Sequence, residues 1–129
     1  VKKQSFKWLD RRISAPGPHL CLCLSEAEYK KAMKHLKIED SPRWISNDHA
    51  NATAHNIFSS RGLVCVVCLG DCSGRNAIEI AGLLIHEAVH AWQEWCDYYG
   101  EKNPGSEQEA YAVQSIAQEL LAEYARRIS

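Results

Sequence analysis

The sequence predicts a small α+β domain, and three features of it do so. The first is a long stretch at helical spacing, residues 76–99. The second is a pair of strand-like runs just before it, Ala52–Phe58 and Leu63–Leu69. The third is a closing amphipathic segment that starts near Ser106 and runs to about Arg127. Strands that cluster before helices, without a regular βα alternation, point to α+β. The 129 residues suit one domain with one core, so 1–129 is read as a single unit.

The elements follow in order. Residues 4–13 (QSFKWLDRRI) put Phe6, Leu9 and Ile13 on one side and predict a short helix, ended by Ala15-Pro16-Gly17-Pro18. Residues 19–24 (HLCLCL) predict a strand. Ser25 with Glu28 three residues on makes a capping box. The helix it opens runs to about Leu36, with Tyr29, Met33 and Leu36 inward. Residues 38–51 have no period and carry turn residues. The two strand-like runs are joined by Ser59-Ser60-Arg61-Gly62 and predict a β-hairpin. Residues 70–74 break the chain before the long helix. Gly100 stands where a C-cap glycine belongs. In the closing helix Val113, Ile116, Leu120 and Tyr124 form the apolar stripe, and Ser106 is the expected cap.

Composition narrows the class of function. Hydrophobic residues make up 46% and charged residues 24%, with a net charge of −1 at pH 7. That balance points to neither a nucleic-acid partner nor an acidic membrane. A basic start (Lys2, Lys3, Lys7, Arg11, Arg12) is of the size that solvation ordinarily accounts for. No apolar run is long enough to span a bilayer, and the first thirty residues lack a signal-like stretch, so a cytoplasmic protein is expected. The six cysteines are read mostly as buried free thiols, and Asn51-Ala52-Thr53 carries no meaning in that compartment.

The chemistry concentrates in LLIHEAVHAWQEWCDY, residues 83–98. His86, Glu87 and His90 spell HExxH. On a helix the two histidines lie one turn apart on one face, where both imidazoles reach one Zn²⁺ and Glu87 stands beside the metal-bound water. Ala77, Ile80, Ala81, Leu84, Ala88, Val89, Trp92 and Trp95 form a broad apolar stripe. His86, His90, Gln93 and Asp97 fall on an adjoining face. The expected function is that of a small zinc-dependent hydrolase acting on a peptide or protein. The plainer alternative for the histidines is ordinary hydrogen bonding on a half-buried helix.

A catalytic zinc takes three protein ligands and leaves one position for water. The closing helix offers Glu107 and Glu109. The stripe of Val113, Ile116, Leu120 and Tyr124, extended backwards, lands on Glu109, whereas Glu107 groups with the more polar Tyr111, Gln114 and Gln118. A carboxylate at the head of a buried stripe needs a partner, and a metal is one. A competing role for Glu109 is the capping box Ser106-Glu107-Gln108-Glu109.

HEAVHAWQ, followed nineteen residues after His90 by Glu109-Ala110-Tyr111, resembles the gluzincin branch of zinc metallopeptidases. More narrowly, LLIHEAVHAWQ…SEQEAYAVQ resembles small metallopeptidases encoded by bacteriophages and prophages. The resemblance covers roughly residues 79–118. It implies a zincin-like domain, with the hairpin or sheet packed on the HExxH helix and a C-terminal helix. It further implies His86, His90 and Glu109 as zinc ligands and Glu87 as general base. Larger members carry an acidic residue four positions after the ligand glutamate, where this chain has Val113. They also carry a His or Tyr for the oxyanion, for which Tyr111 and His55 are the candidates here. By the same analogy, the strand at Leu63–Leu69 is expected to expose an edge to which a peptide substrate adds.

Two rival readings belong to other classes. One is a structural or regulatory protein whose zinc only holds the fold, with Cys65 and Cys68 joined by Cys72 or by Cys21 and Cys23. Against it, a strand sends the two cysteines of a CxxC to opposite faces. The other keeps the metal site but acts by binding a host partner.

Overall fold

The computed structural model describes residues 5–9, 17–46, 51–60 and 62–129. Most of the basic start, half of the expected helix over 4–13 and Arg61 of the hairpin turn lie outside the described residues.

Among the described residues four strands form one mixed sheet: β1 (Trp8–Leu9), β2 (His19–Cys23), β3 (Ala52–Ser59) and β4 (Gly62–Leu69), in the order β1-β2-β4-β3. The same residues carry three helices: α1 (Glu26–His35), α2 (Ala77–Tyr99) and α3 (Ser106–Ile128). The α+β class predicted from the sequence is the class observed, with a hairpin packed on the HExxH helix and a C-terminal helix beside it.

The expected hairpin is β3–β4, antiparallel, with His55 opposite Val66 and Ser59 opposite Gly62. β2 lies parallel to β4 on its other side, with Cys23 opposite Cys68. β4 is therefore the central strand and has no free edge, which corrects the expectation placed on Leu63–Leu69. The reason is compositional. LVCVVCL is apolar at every position and is buried on both faces, as a strand between two neighbours must be. Among the described strands the edge beside α2 is β3. The expected N-terminal helix is also corrected, since Trp8 and Leu9 pair antiparallel with Cys21 and Leu20.

Alternation along the strands gives the sheet two apolar faces. Leu20, Leu22, Cys65, Val67 and Leu69 face α2 and α3, meeting Leu84, Ala88, Trp92, Ile116 and Leu120. Cys21, Cys23, Val64, Val66 and Cys68 face α1, meeting Tyr29, Ala32 and Met33. Cys65 and Cys68 thus point to opposite faces, as expected, and all six cysteines are free thiols. Burial pushes the Cys65 thiol up, which keeps it neutral within the core.

The helix ends follow local chemistry. Ser25 Oγ accepts the Glu28 N–H at 3.3 Å, while Glu28 reaches back to the Leu24 N–H at 2.8 Å. Asn76 and Glu79 form a reciprocal capping box that starts α2, and Gly100 ends it in the left-handed conformation, φ 73°. Gly105, not Ser106, is the N-cap of α3, and no side chain caps that end.

The far end of α3 is fixed by charge. The buried Arg127 pairs with Glu28 and donates to the Leu22 carbonyl at 3.4 Å. Glu123, equally buried, accepts from Arg126 at 2.7 Å. Arg126 in turn donates to the Ser5 carbonyl. No helix among the described residues is long and apolar enough to cross a membrane.

Candidate metal centre

α2 positions the site. Its 23 residues carry the apolar stripe on the side facing the sheet and α3, and this leaves His86 and His90 exposed on another. Their Nε2 atoms lie 3.1 Å apart, with the rings at 78° to one another. Two imidazoles on one tetrahedral zinc, each at about 2.0–2.1 Å, hold their nitrogens roughly 3.3 Å apart. The observed spacing comes within a few tenths of an ångström of that. Gln93, one turn past His90, accepts from His90 Nδ1 at 3.0 Å. A proton on Nδ1 leaves the Nε2 lone pair available to a metal, the usual division of labour in a ligating histidine.

Glu87 points elsewhere on the helix, toward β3. It is 5% exposed, and its Oε2 has no hydrogen-bond partner. Burial pushes its carboxyl above the usual carboxylate range, and the nearby His86, His90 and His55 pull against that shift. Glu87 lines a cavity of about 260 Å³ at the edge of β3, with Ser46, Thr53, Ala54, Asn56, His90 and Glu94 also on its wall.

Glu109 is not brought to the histidines. Its Oε2 accepts the Trp92 indole N–H at 3.0 Å. At about 100° per residue, Trp92 lies roughly 200° round α2 from His90, so Glu109 meets the helix on the side turned toward α3. The capping role does not apply either, because α3 starts from Gly105. Among the described residues no three His, Cys, Asp or Glu side chains are grouped as a metal cage would need, at the histidines or among the cysteines. Cys72 is half-buried and donates to the Gly70 carbonyl.

The two oxyanion candidates also stand apart from the pair. His55 lies on the α1 face of β3, its ring tilted 34° against that of Tyr29 at 4.7 Å, and bonded through Nε2 to the Trp44 carbonyl at 2.9 Å. Tyr111 is 66% exposed on α3.

Sequence reasoning missed Glu94 and Asn56. The signal for Glu94 was present, since a residue seven positions after Glu87 returns to the same helix face. Asn56 had none, because which face of the hairpin looks toward α2 depends on packing. Comparison of the chain with protein-family models, with curated proteins and with solved structures returns no match.

Proposed function

We propose that the protein is a zinc-dependent hydrolase acting on peptide bonds, with His86 and His90 holding the metal and Glu87 as general base. The observation that carries this is the convergence of two Nε2 atoms, 3.1 Å apart, beside a buried carboxylate with an unpartnered oxygen. Zinc bound there would supply a Lewis acid for the substrate carbonyl and a water of lowered pKa. Gln93 holds the His90 ring by its Nδ1–H. Glu87 Oε2, with no donor to satisfy it, is free to take a proton and to deliver it to a leaving amine. The edge of β3 supports an extended peptide as substrate, since a segment added there would run past Glu87. Glu109 enters the site only by exchanging the Trp92 N–H for the metal.

Elemental analysis of tag-free protein tests the metal, with wild type beside His86→Ala and Glu109→Ala. The expected result is about one zinc per chain in wild type, lost in His86→Ala. Zinc lost in Glu109→Ala as well would make Glu109 the third ligand, and zinc retained there would leave it as the partner of Trp92. A wild type that holds no zinc after reconstitution, or holds it equally in His86→Ala, overturns the proposal. A peptide-hydrolysis assay in which Glu87→Gln matches wild type would remove the general base. Zinc bound without any hydrolysis would favour the second reading, a protein that binds a host partner; the engagement of Glu109 by Trp92 is the observation on its side.

A further inference from the structure

The cavity between β3 and α2 has an imbalance, and the hydrolytic reading gives a role to Glu87 alone among the groups that make it. Its unpartnered buried atoms are both acceptors: Glu87 Oε2 and Asn56 Oδ1. Two donors on its wall are spent within the wall itself. The Ser46 N–H donates to Thr53 Oγ1 at 2.9 Å, and the Thr53 hydroxyl donates to Ser46 Oγ at 3.3 Å. Glu94, one turn past His90 on α2, adds a second carboxylate, and among the described residues no lysine or arginine lines the wall. A buried acceptor left without a donor is costly, and a carboxylate is more so. The group that corrects both deficits carries positive charge and several N–H donors.

Size and setting narrow it further. About 260 Å³ lies below the roughly 300–1,000 Å³ of sites for whole small molecules, so the space suits one side chain. The room comes from small residues, since Ala52 and Ala54 are the β3 positions that face α2 beside Asn56. The cavity opens along a strand edge, where an extended chain gains main-chain hydrogen bonds and drops alternate side chains into pockets.

We propose that this cavity binds the cationic side chain of an extended peptide, a lysine or an arginine, between Glu94, Glu87 and Asn56. The binding itself needs no metal and stands without the hydrolase reading, because a cation held on Glu87 Oε2 would occupy the oxygen that a general base keeps free.

The test is calorimetric titration of the full chain with three N-acetylated, C-amidated peptides that differ at one position: arginine, lysine or norleucine. The arginine and lysine peptides are expected to bind at least about tenfold more tightly than the norleucine one, the scale of a charge-assisted hydrogen bond. The tighter of the two names the head group. Glu94→Gln, a change at an exposed position, should abolish most of that preference, and His86→Ala should keep it. Equal binding of norleucine, no binding of any of the peptides, or a charge preference undiminished in Glu94→Gln overturns the proposal. Loss of zinc or hydrolysis in His86→Ala with the preference intact separates the two readings. An absence of zinc from the wild type would sink the hydrolase and leave this measurement standing.

Discussion

Two glutamates are buried to nearly the same degree, Glu87 at 5% and Glu123 at 3% exposed, yet neutralising them should move stability in opposite directions. Glu123 is paired, with Arg126 at 2.7 Å and Arg127 at 3.9 Å. Glu87 has an oxygen with no partner. Leaving a buried acceptor unsatisfied costs about 1–3 kcal/mol, and more for a charged group. Glu87→Gln removes the charge and introduces an amide N–H₂ on the wall shared with the Asn56 acceptor. It should therefore stabilise the metal-free protein by about 1–2 kcal/mol at pH 7, raising Tm by roughly 3–8 °C. Glu123→Gln instead strips a buried cation of its partner. It should destabilise by about 2–3 kcal/mol, at or below the roughly 3–5 kcal/mol of a broken buried pair, because Glu28 still holds Arg127. Thermal and urea unfolding followed by circular dichroism, with chelator present to exclude metal linkage, measures both. If Glu87→Gln proved no more stable than wild type, the Glu87 carboxylate would be satisfied in solution. The general base and the cation site would then both lose the unsatisfied acceptor on which they depend.

Three further outcomes follow from local geometry. Trp92→Phe removes the indole N–H that holds Glu109 and should cost about 2 kcal/mol in urea unfolding, while zinc affinity measured by competition with a chromogenic chelator stays undiminished. A fall in zinc affinity would show that the indole orients Glu109 for the metal. Gly62→Ala places a Cβ at φ 113° and 3.4 Å from the Tyr99 hydroxyl, so a Tm loss equivalent to about 1–3 kcal/mol is expected, and an unchanged Tm would contradict that backbone. Under native conditions Ellman's reagent should label Cys72 alone, and slowly, because burial raises its thiol. The other five thiols are buried and should react only on unfolding, whereas a total below six after denaturation would reveal a disulfide.

What the sequence made legible was local. The α2 boundaries, the Gly100 cap, the Ser25 cap of α1 and the hairpin each depend on residues close in the chain, where period and cap chemistry act directly. β1 escaped because two residues cannot show a period of two, and Phe6, Leu9 and Ile13 fit a helix as well. The parallel pairing of β2 with β4 is non-local, and no residue in either strand names its partner. One clue to it was nevertheless present. A run apolar at seven successive positions, Leu63–Leu69, has no solvent face to offer and belongs in the middle of a sheet rather than at its rim.

At the site the same division holds within a single helix. The i, i+4 spacing fixes His86 and His90 to one face whatever surrounds them, and the structure accordingly brings their nitrogens together. The inference to Glu109 needed more. It took a carboxylate at the head of an apolar stripe to be aimed at the histidines, which requires that α3 approach the face of α2 that carries them. α3 packs instead on the Trp92 and Ala88 side, because that is where α2 presents apolar surface to cover. The indole N–H is the one polar donor of a side chain otherwise buried there, and a buried indole seeks an acceptor. Glu109, at the open end of α3, supplies it. The same packing that orders the helix pair thus sets the carboxylate and the histidines on different sides of α2. A third ligand drawn from α3 must then overcome a hydrogen bond that the hydrophobic core itself put in place, which is why Trp92→Phe is the substitution that separates a metal ligand from a structural partner.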